Sequence, residues 1–243
     1  MMIELLKIII DKKFDNFMIK ELLYDHYDFS RKSLSKIKKN NGIYLNEQPA
    51  FVTVRVKEGD LLQVFISEET SENILPEPIP LNIVHEDNDI VILNKPPNIV
   101  VHPTRSHYTG TIANGLVYYW ASSGKQFRFR PVNRLDKDTS GLFIVAKNQY
   151  AHHKLALQMK KNTLKRTYHA VVHKKMQDDK GEIKTLLIKD PNHPLKRIVV
   201  DQTYLNAKKA ITYFKVMERF QEYTLVELLL GTGRTHQIRV HSI

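Results

Sequence analysis

Apolar positions recur at helical spacing through Phe14, Phe17, Met18 and Leu22, which predicts a helix over 14–23. Ser30 then stands as an N-cap for a second helix over 31–39, with Leu34 and Ile37 on its inner face and Asn41-Gly42 as its stop. Short apolar runs at 43–45, 51–54 and 61–65 read as strands, the last two joined by a turn at Lys57-Glu58-Gly59-Asp60. From Ser67 to Pro80 the pattern stops. This stretch is acidic and polar, and Pro76, Pro78 and Pro80 remove backbone donors and fix φ, so an extended spacer is expected. Beyond it come a hairpin (82–85 and 90–93 around a turn at 86–89), a helix over 111–120, a buried strand over 142–146 and a helix over 151–160. Four further strands are expected at 167–173, 183–188, 210–216 and 224–230. Gly231 to His241 then opens a helix that would carry Arg234, Ile238 and His241 on one face, and Thr235 and Arg239 on another. The expected fold class is α+β. A small N-terminal domain of helices and strands (1–66) precedes a linker (67–82) and a second domain (83–243). The second domain has a mixed, largely antiparallel sheet flanked by helices.

Charge sharpens this outline. The 243 residues hold 37 Lys and Arg against 26 Asp and Glu, a formal charge of +11 and a pI near 9.6, which implies a polyanionic partner. Arg31, Lys32, Lys36 and Lys39 share the outer face of the second helix with no acid four positions away. That is either a solvated face or a face answered by an anion. Between Lys147 and Lys175 there is no acid at all, while Lys165, Arg166 and six further lysines are basic, as a phosphate-tracking stretch would be. The absence of cysteine removes disulfides, thiol nucleophiles and cysteine-ligated metals. No run approaches the roughly 18 apolar residues of a membrane span, and the apolar start is broken by Glu4 and Lys7 without the order of a secretory signal. A cytoplasmic monomer is expected.

The chemistry narrows by exclusion. There is no P-loop, no dinucleotide fingerprint, no zincin motif and no nucleophile elbow, and the adjacent His152 and His153 would point apart on a helix. One polar stretch, Asn133-Arg134-Leu135-Asp136-Lys137-Asp138-Thr139-Ser140-Gly141, feeds directly into the most apolar strand. Charges at the mouth of a buried strand are costly unless paired or functional; the plainer reading is a turn in which Thr139, Ser140 and Gly141 satisfy the backbone.

Two resemblances decide between these readings. Ser30-Arg31, the basic helix, Asn41-Gly42, Asn46 and Gly59-Asp60 together resemble the RNA-binding domain named after the small-subunit ribosomal protein S-four, over about residues 14–66. The Arg-Leu-Asp often seen near the start of its first helix is absent here. The resemblance implies RNA binding through Arg31, Lys32, Lys36 and Lys39. Further on, Arg134-Leu135-Asp136 with Thr139-Ser140-Gly141, Lys165-Arg166-Thr167-Tyr168 and Thr232-Gly233-Arg234-Thr235-His236-Gln237-Ile238-Arg239 resemble, in order, the RluA-like branch of the RNA pseudouridine synthases. Asn94-Lys95-Pro96-Pro97 with Val101-His102-Pro103 is a softer fourth match.

This resemblance implies isomerisation of uridine in structured RNA, ribosomal RNA before transfer RNA, with no cofactor or metal because neither redox nor group transfer occurs. It implies Asp136 as the catalytic carboxylate, acting as nucleophile or base, paired with Arg234. Tyr168 would stack on uracil and assist loss of the carbon-five proton, and Ile238 would touch the base. Arg134 would enter the gap left by the flipped nucleotide, and Lys165 and Arg166 would hold RNA. Two other functions fit the scaffold: a non-catalytic RNA-binding or RNA-folding protein, and a glycosidic hydrolase, which would want a second carboxylate such as Asp138. Members of the family continue past the segment ending at His241, so the chain is expected to be either a fragment or a shortened member.

Overall fold

In a computed structural model, residues 2–67, 70–104, 107–193 and 196–242 are described; Glu68 and Glu69 of the expected linker, and Ile243, lie outside them. The chain forms two compact units, Met1–Leu157 and Gln158–Ile243.

The first unit begins with strand β1 (Met2–Ile9), which sequence reading left unassigned. Its alternation slips at Leu5-Leu6, and the pairing register with the neighbouring strand shifts there by a bulge. A 3-10 turn (Lys12–Phe14) leads to α1 (Ile19–Glu21), which continues as a π turn over Leu22–His26. The helix therefore starts five residues later than expected: Met18 is its N-cap, and the Glu21 carboxylate accepts the Met18 N–H at 2.8 Å. Helix α2 (Arg31–Lys39) starts as predicted, Ser30 Oγ accepting from Ser33 N at 3.0 Å. Strands β2 (Ile43–Leu45), β3 (Gln48–Pro49) and β4 (Leu61–Ser67) complete a sheet of order β1-β4-β2-β3.

The strand expected at 51–54 does not form. Val54 N–H turns back on the Phe51 carbonyl, and the carbonyls of Val52, Val54 and Val56 accept from Lys20, Ile19 and Asn16. The segment thus satisfies its backbone on the entry to α1, not on a strand. Val52 and Val56 are buried, while Phe51 points out at 81% exposure. Ile19, Leu22, Leu34, Ile37, Leu62 and Val64 form the core of this part. The helix stop is fixed by close approach: a Cβ on Gly42 would lie 2.2 Å from the Phe65 carbonyl oxygen. Asn46 and Asp60, distant in sequence, lock the β2 and β4 ends, with Asn46 Nδ2 donating to Asp60 at 2.8 Å and Asn46 Oδ1 accepting from Leu61 N at 2.8 Å.

Residues 71–74 form a turn in which Ile74 N donates to the Ser71 carbonyl at 3.1 Å, and 75–80 have no regular secondary structure, but both are bound to the rest of the unit. Ser71 Oγ accepts from Phe129 N, Asn114 Nδ2 donates to the Leu75 carbonyl, and Glu77 accepts from Gly110 N, at 2.7, 2.8 and 2.7 Å. A second sheet follows, from β5 (Ile83–Glu86), β6 (Ile90–Lys95), β7 (Arg130–Pro131) and β8 (Gly141–Ala146), in the order β5-β6-β8-β7. Helix α3 (Ile112–Ser122) is capped by Thr111, and α4 (Gln149–Lys160) begins where Asn148 Oδ1 accepts Ala151 N at 2.8 Å. Near the start of α4, Tyr150 stacks on Phe29 at 4.4 Å and donates to the Tyr27 carbonyl at 2.9 Å, while Lys154 pairs with Asp28 at 2.6 Å.

The second unit holds one five-stranded sheet, from β9 (Thr167–His173), β10 (Lys180–Lys189), β11 (Arg197–Val200), β12 (Lys208–Arg219) and β13 (Tyr223–Leu230), followed by α5 (Gln237–His241). The sheet order is β11-β10-β12-β13-β9. Where one mixed sheet was expected beyond the linker, the named strands form two sheets with antiparallel pairing throughout. The consecutive neighbours β10–β11 and β12–β13 are joined by short connections, which suit antiparallel pairs because parallel ones need long crossovers.

Gly42→Ala should cost roughly 2 kcal/mol, since the methyl meets backbone that can yield only by moving β4. Thermal unfolding of the variant should show a midpoint roughly 4 to 8 °C lower.

Candidate active site

Asp136 opens a turn, its carbonyl accepting from Thr139 N at 3.1 Å, directly ahead of β8. The stretch before it is pinned to the same strand: Val132 N donates to the Ile144 carbonyl and Asn133 Oδ1 accepts from Ile144 N, at 2.8 and 3.0 Å. Leu135 is buried, which leaves Arg134 exposed and Asp136 half-buried on either side of it. The charged sequence thus surrounds one apolar anchor.

The residue that holds this turn was quoted in the sequence but given no role. Lys95 ends β6 opposite Gly141 at the start of β8 and is 1% exposed. Its ammonium donates to three carbonyls: Pro96 at 2.8 Å, Ile99 at 3.0 Å and Lys137 at 2.8 Å. An ammonium has three N–H groups, so the cage matches it. Burial pushes the Lys95 pKa below its ordinary value, and the negative charges of Asp138 and Asp136 push the other way. The signal available in sequence was a lysine at the core-facing end of an otherwise apolar strand, where a charge needs a structural reason.

In the second unit, Tyr168 lies on β9 opposite Leu228 of β13, half-buried. Two residues earlier, the Arg166 carbonyl accepts from Leu230 N at 3.1 Å. The Arg166 guanidinium lies over the loop after β13, where a Cβ on Gly233 would fall 2.2 Å from it. Gly233 is therefore the residue that lets Arg166 in.

Arg234 follows in that loop, and it is not on a helix as expected. His236 adopts a left-handed φ of 57°, so α5 begins only at Gln237. The face-sharing of Arg234 with Ile238 and His241, and of Thr235 with Arg239, does not occur. Gln237, 2% exposed, organises the loop instead. Its Oε1 accepts from Arg234 N at 3.0 Å and from Thr232 Oγ1 at 2.8 Å, and its Nε2 donates to the Ile211 carbonyl and Thr212 Oγ1, both at 2.9 Å. His241 bridges the hydroxyls of Thr212 and Thr185 at 2.9 and 2.8 Å, and burial lowers its pKa, which favours the neutral ring. Arg234 Nε donates to the Lys209 carbonyl at 3.0 Å with its side chain exposed. Ile238 is half-buried on α5.

The structure thus brings Arg166, Tyr168 and the Arg234 loop to one end of the five-stranded sheet, and Arg134, Asp136 and Lys95 to one end of the four-stranded sheet. On α2, Arg31, Lys32 and Lys39 are exposed, while Lys36 is half-buried at the edge of the helix's inner face. The acid-free run from Lys147 does not serve uniformly as an anion surface. Lys147 is buried, pairs with Glu86 at 2.5 Å and sits over the Phe127 ring, and Lys154 is engaged with Asp28. Their acidic partners lie far back in the sequence, out of sight of a local charge count.

Residues 89–243 match the family described as RNA pseudouridylate synthase. The chain belongs to that family. It is similar to the protein named "Uncharacterized RNA pseudouridine synthase YlyB" of Bacillus subtilis strain 168, with 41% identity over 217 residues, 88% of this chain and 70% of that protein. To "Ribosomal large subunit pseudouridine synthase D" of Neisseria meningitidis it is 38% identical over 88% of this chain and 56% of that protein. In fold it resembles human "RNA Pseudouridylate Synthase Domain Containing 4", with a TM-score of 0.54 at 24% identity, over 66% of this chain and 62% of that one. The chain thus spans less than two thirds of that human structure. Matched to the synthase family, the Asp136 turn, Tyr168 strand and Arg234 loop all fall inside the family segment.

Lys95→Met leaves three carbonyls without their donor and should destabilise the protein by about 3 kcal/mol. Its pH signature follows from linkage. A lysine whose folded pKa is depressed binds fewer protons folded than unfolded between that depressed value and the ordinary 10.5, so its contribution to stability rises with pH through that window. Chemical denaturation of wild type and Lys95→Met at increasing alkaline pH should show this rise in the wild type relative to the variant.

Proposed function

We propose that this chain converts uridine to pseudouridine in structured RNA. Family membership supports the reaction class, and the observation that carries the assignment of the site is the Asp136 turn gripped from below by the caged Lys95. In the reaction the C1′–N1 bond breaks, the uracil turns, and a C1′–C5 bond forms. The C5 proton leaves and N1 takes up a proton, so composition and oxidation state are unchanged.

A uridine stacked in RNA cannot be reached, so the target base leaves the stack, and Arg134, exposed two residues from Asp136, fills the gap with a guanidinium that can stack and contact phosphate. Asp136 acts at the sugar as nucleophile or base. Arg234, which in the structure donates to the Lys209 carbonyl, would serve as its charge partner when RNA is bound. Tyr168 offers a flat face to uracil and a polar tip for the C5 proton, and Ile238 supplies apolar contact to the base.

Residues 1–66 serve as an S-four-type RNA-binding domain joined by 67–82 to a catalytic domain over 83–243. The exposed Arg31, Lys32 and Lys39, with Lys36 beside them, meet phosphate, as do Lys165 and Arg166. Ribosomal RNA is the first candidate substrate, because the Neisseria relative bears a large-subunit name. The protein would then work in the cytoplasm as a monomer, without metal or cofactor.

The test is release of tritium from RNA labelled at uridine C5. Wild type should release it, and Asp136→Asn should lower the rate by at least about 10³-fold while RNA binding stays within a small factor. Equal release by both proteins would overturn the role of Asp136. Binding without release by the wild type would point to the non-catalytic reading.

A further inference from the structure

A cavity of about 650 Å³ opens in the second unit beside Gly233, Arg234 and Thr235, between the end of β10 and the β11–β12 loop. Its volume lies within the range of small-ligand sites. Lys189, Arg197, Lys208 and Arg234 contribute cations to the lining, and among the described residues no acid lines it. Among the described residues none of these four cations pairs with an acid; the contacts recorded for Arg197 and Arg234 are to the backbone carbonyls of Lys196 and Lys209. The nearby acids are turned to their own loops, Asp190 accepting from Asn192 N at 2.8 Å and Asp201 from Thr203 N at 2.9 Å.

The apolar side of the cavity is unusual for a loop. Tyr204 is 51% exposed and Leu205 is fully exposed, at the tip of a turn closed by Ala207 N donating to the Tyr204 carbonyl at 3.0 Å. Nothing in the fold needs these side chains there. An aromatic ring and a leucine on a fixed tip, ringed by unpaired cations, suit a ligand with a flat face and several phosphates. An unpaired stretch of RNA has both, whereas duplex RNA buries its base faces in the stack.

Resting on the synthase reading above, we infer that this cavity holds an unpaired nucleotide neighbouring the target uridine, its base on Tyr204 and Leu205 and its flanking phosphates on Lys189, Arg197 and Lys208. Arg234 is shared: its loop lines this cavity and carries a residue assigned above to the catalytic site. The cavity therefore selects RNA in which the bases beside the target are also single-stranded.

The probes are a fluorescein-labelled ten-nucleotide single-stranded RNA of mixed sequence and a ten-base-pair duplex of the same sequence, with binding measured by anisotropy on the full chain. Tyr204→Ala should weaken single-strand binding about tenfold and leave duplex binding within about twofold. Leu205→Ala, at a side chain that packs against nothing, should act in the same direction without altering thermal unfolding. Lys189→Gln with Lys208→Gln should lower the slope of log affinity against log salt by about 1.4 for the single strand. Single-strand affinity unchanged in Tyr204→Ala and Leu205→Ala, or equal losses on both probes, overturns the proposal. Because binding is read separately from tritium release, a chain that releases tritium with Tyr204-independent binding defeats this site alone. A chain that discriminates the probes through Tyr204 yet releases no tritium defeats the synthase reading alone.

Discussion

The Lys95 ammonium joins two pieces of backbone that the sheet alone would leave independent. Strands β6 and β8 pair up to Lys95 and Gly141, and there the ladder ends. Beyond that point the chain on one side runs through Pro96 and Pro97, and on the other through the polar turn at Asp136. One buried cation, with its three donors divided among the carbonyls of Pro96, Ile99 and Lys137, fixes both. A hydrophobic residue in the same place could fill the space but would leave three acceptors unmet, each a cost at least as large as the net worth of an ordinary hydrogen bond. The polar turn ahead of β8 is tolerated at the mouth of an apolar strand because its backbone is anchored from inside.

The second unit solves a related problem with an amide. The loop from Gly231 to His236 has no regular secondary structure, so its backbone groups need side-chain partners. Gln237 supplies both a donor and an acceptor from a buried position, holding Thr232, Arg234 and the adjoining strand together, and His241 continues the network between two threonine hydroxyls. A fully satisfied buried network of this kind specifies one loop geometry, where an apolar packing would permit several. Arg166 then packs over Gly233, which makes this residue just ahead of β9 part of the loop's support.

The N-terminal part shows how charge can be misjudged locally. A count along the chain marks 147–175 as an uninterrupted basic run. The fold removes Lys147 and Lys154 from it by pairing them with Glu86 and Asp28, which are about 60 and 125 residues away. Conversely, the cations around the Tyr204 tip belong to no run at all. Lys189, Arg197 and Lys208 come together only because β10, β11 and β12 are sheet neighbours.

Local pattern and motif were enough for the α2 helix with its Ser30 cap, the Asn41-Gly42 stop, the strands from β4 onward that carry long apolar runs, and the family to which the chain belongs. These are features whose cause lies within a few residues: a hydroxyl reaching an N–H three positions on, an alternation of side chains, or an ordered set of short motifs. What tertiary structure decided had causes distant in sequence. Strand β1 was hidden by a bulge that only its pairing with β4 explains. The strand expected at 51–54 was lost to hydrogen bonds with residues 16–20. Arg234 left the expected helix because the buried Gln237 and the left-handed His236 hold its loop open. Lys95 acquired its role from the carbonyl of Lys137, forty-two residues on. Backbone groups must be satisfied somewhere, and sequence reveals the partner only when that partner is near along the chain.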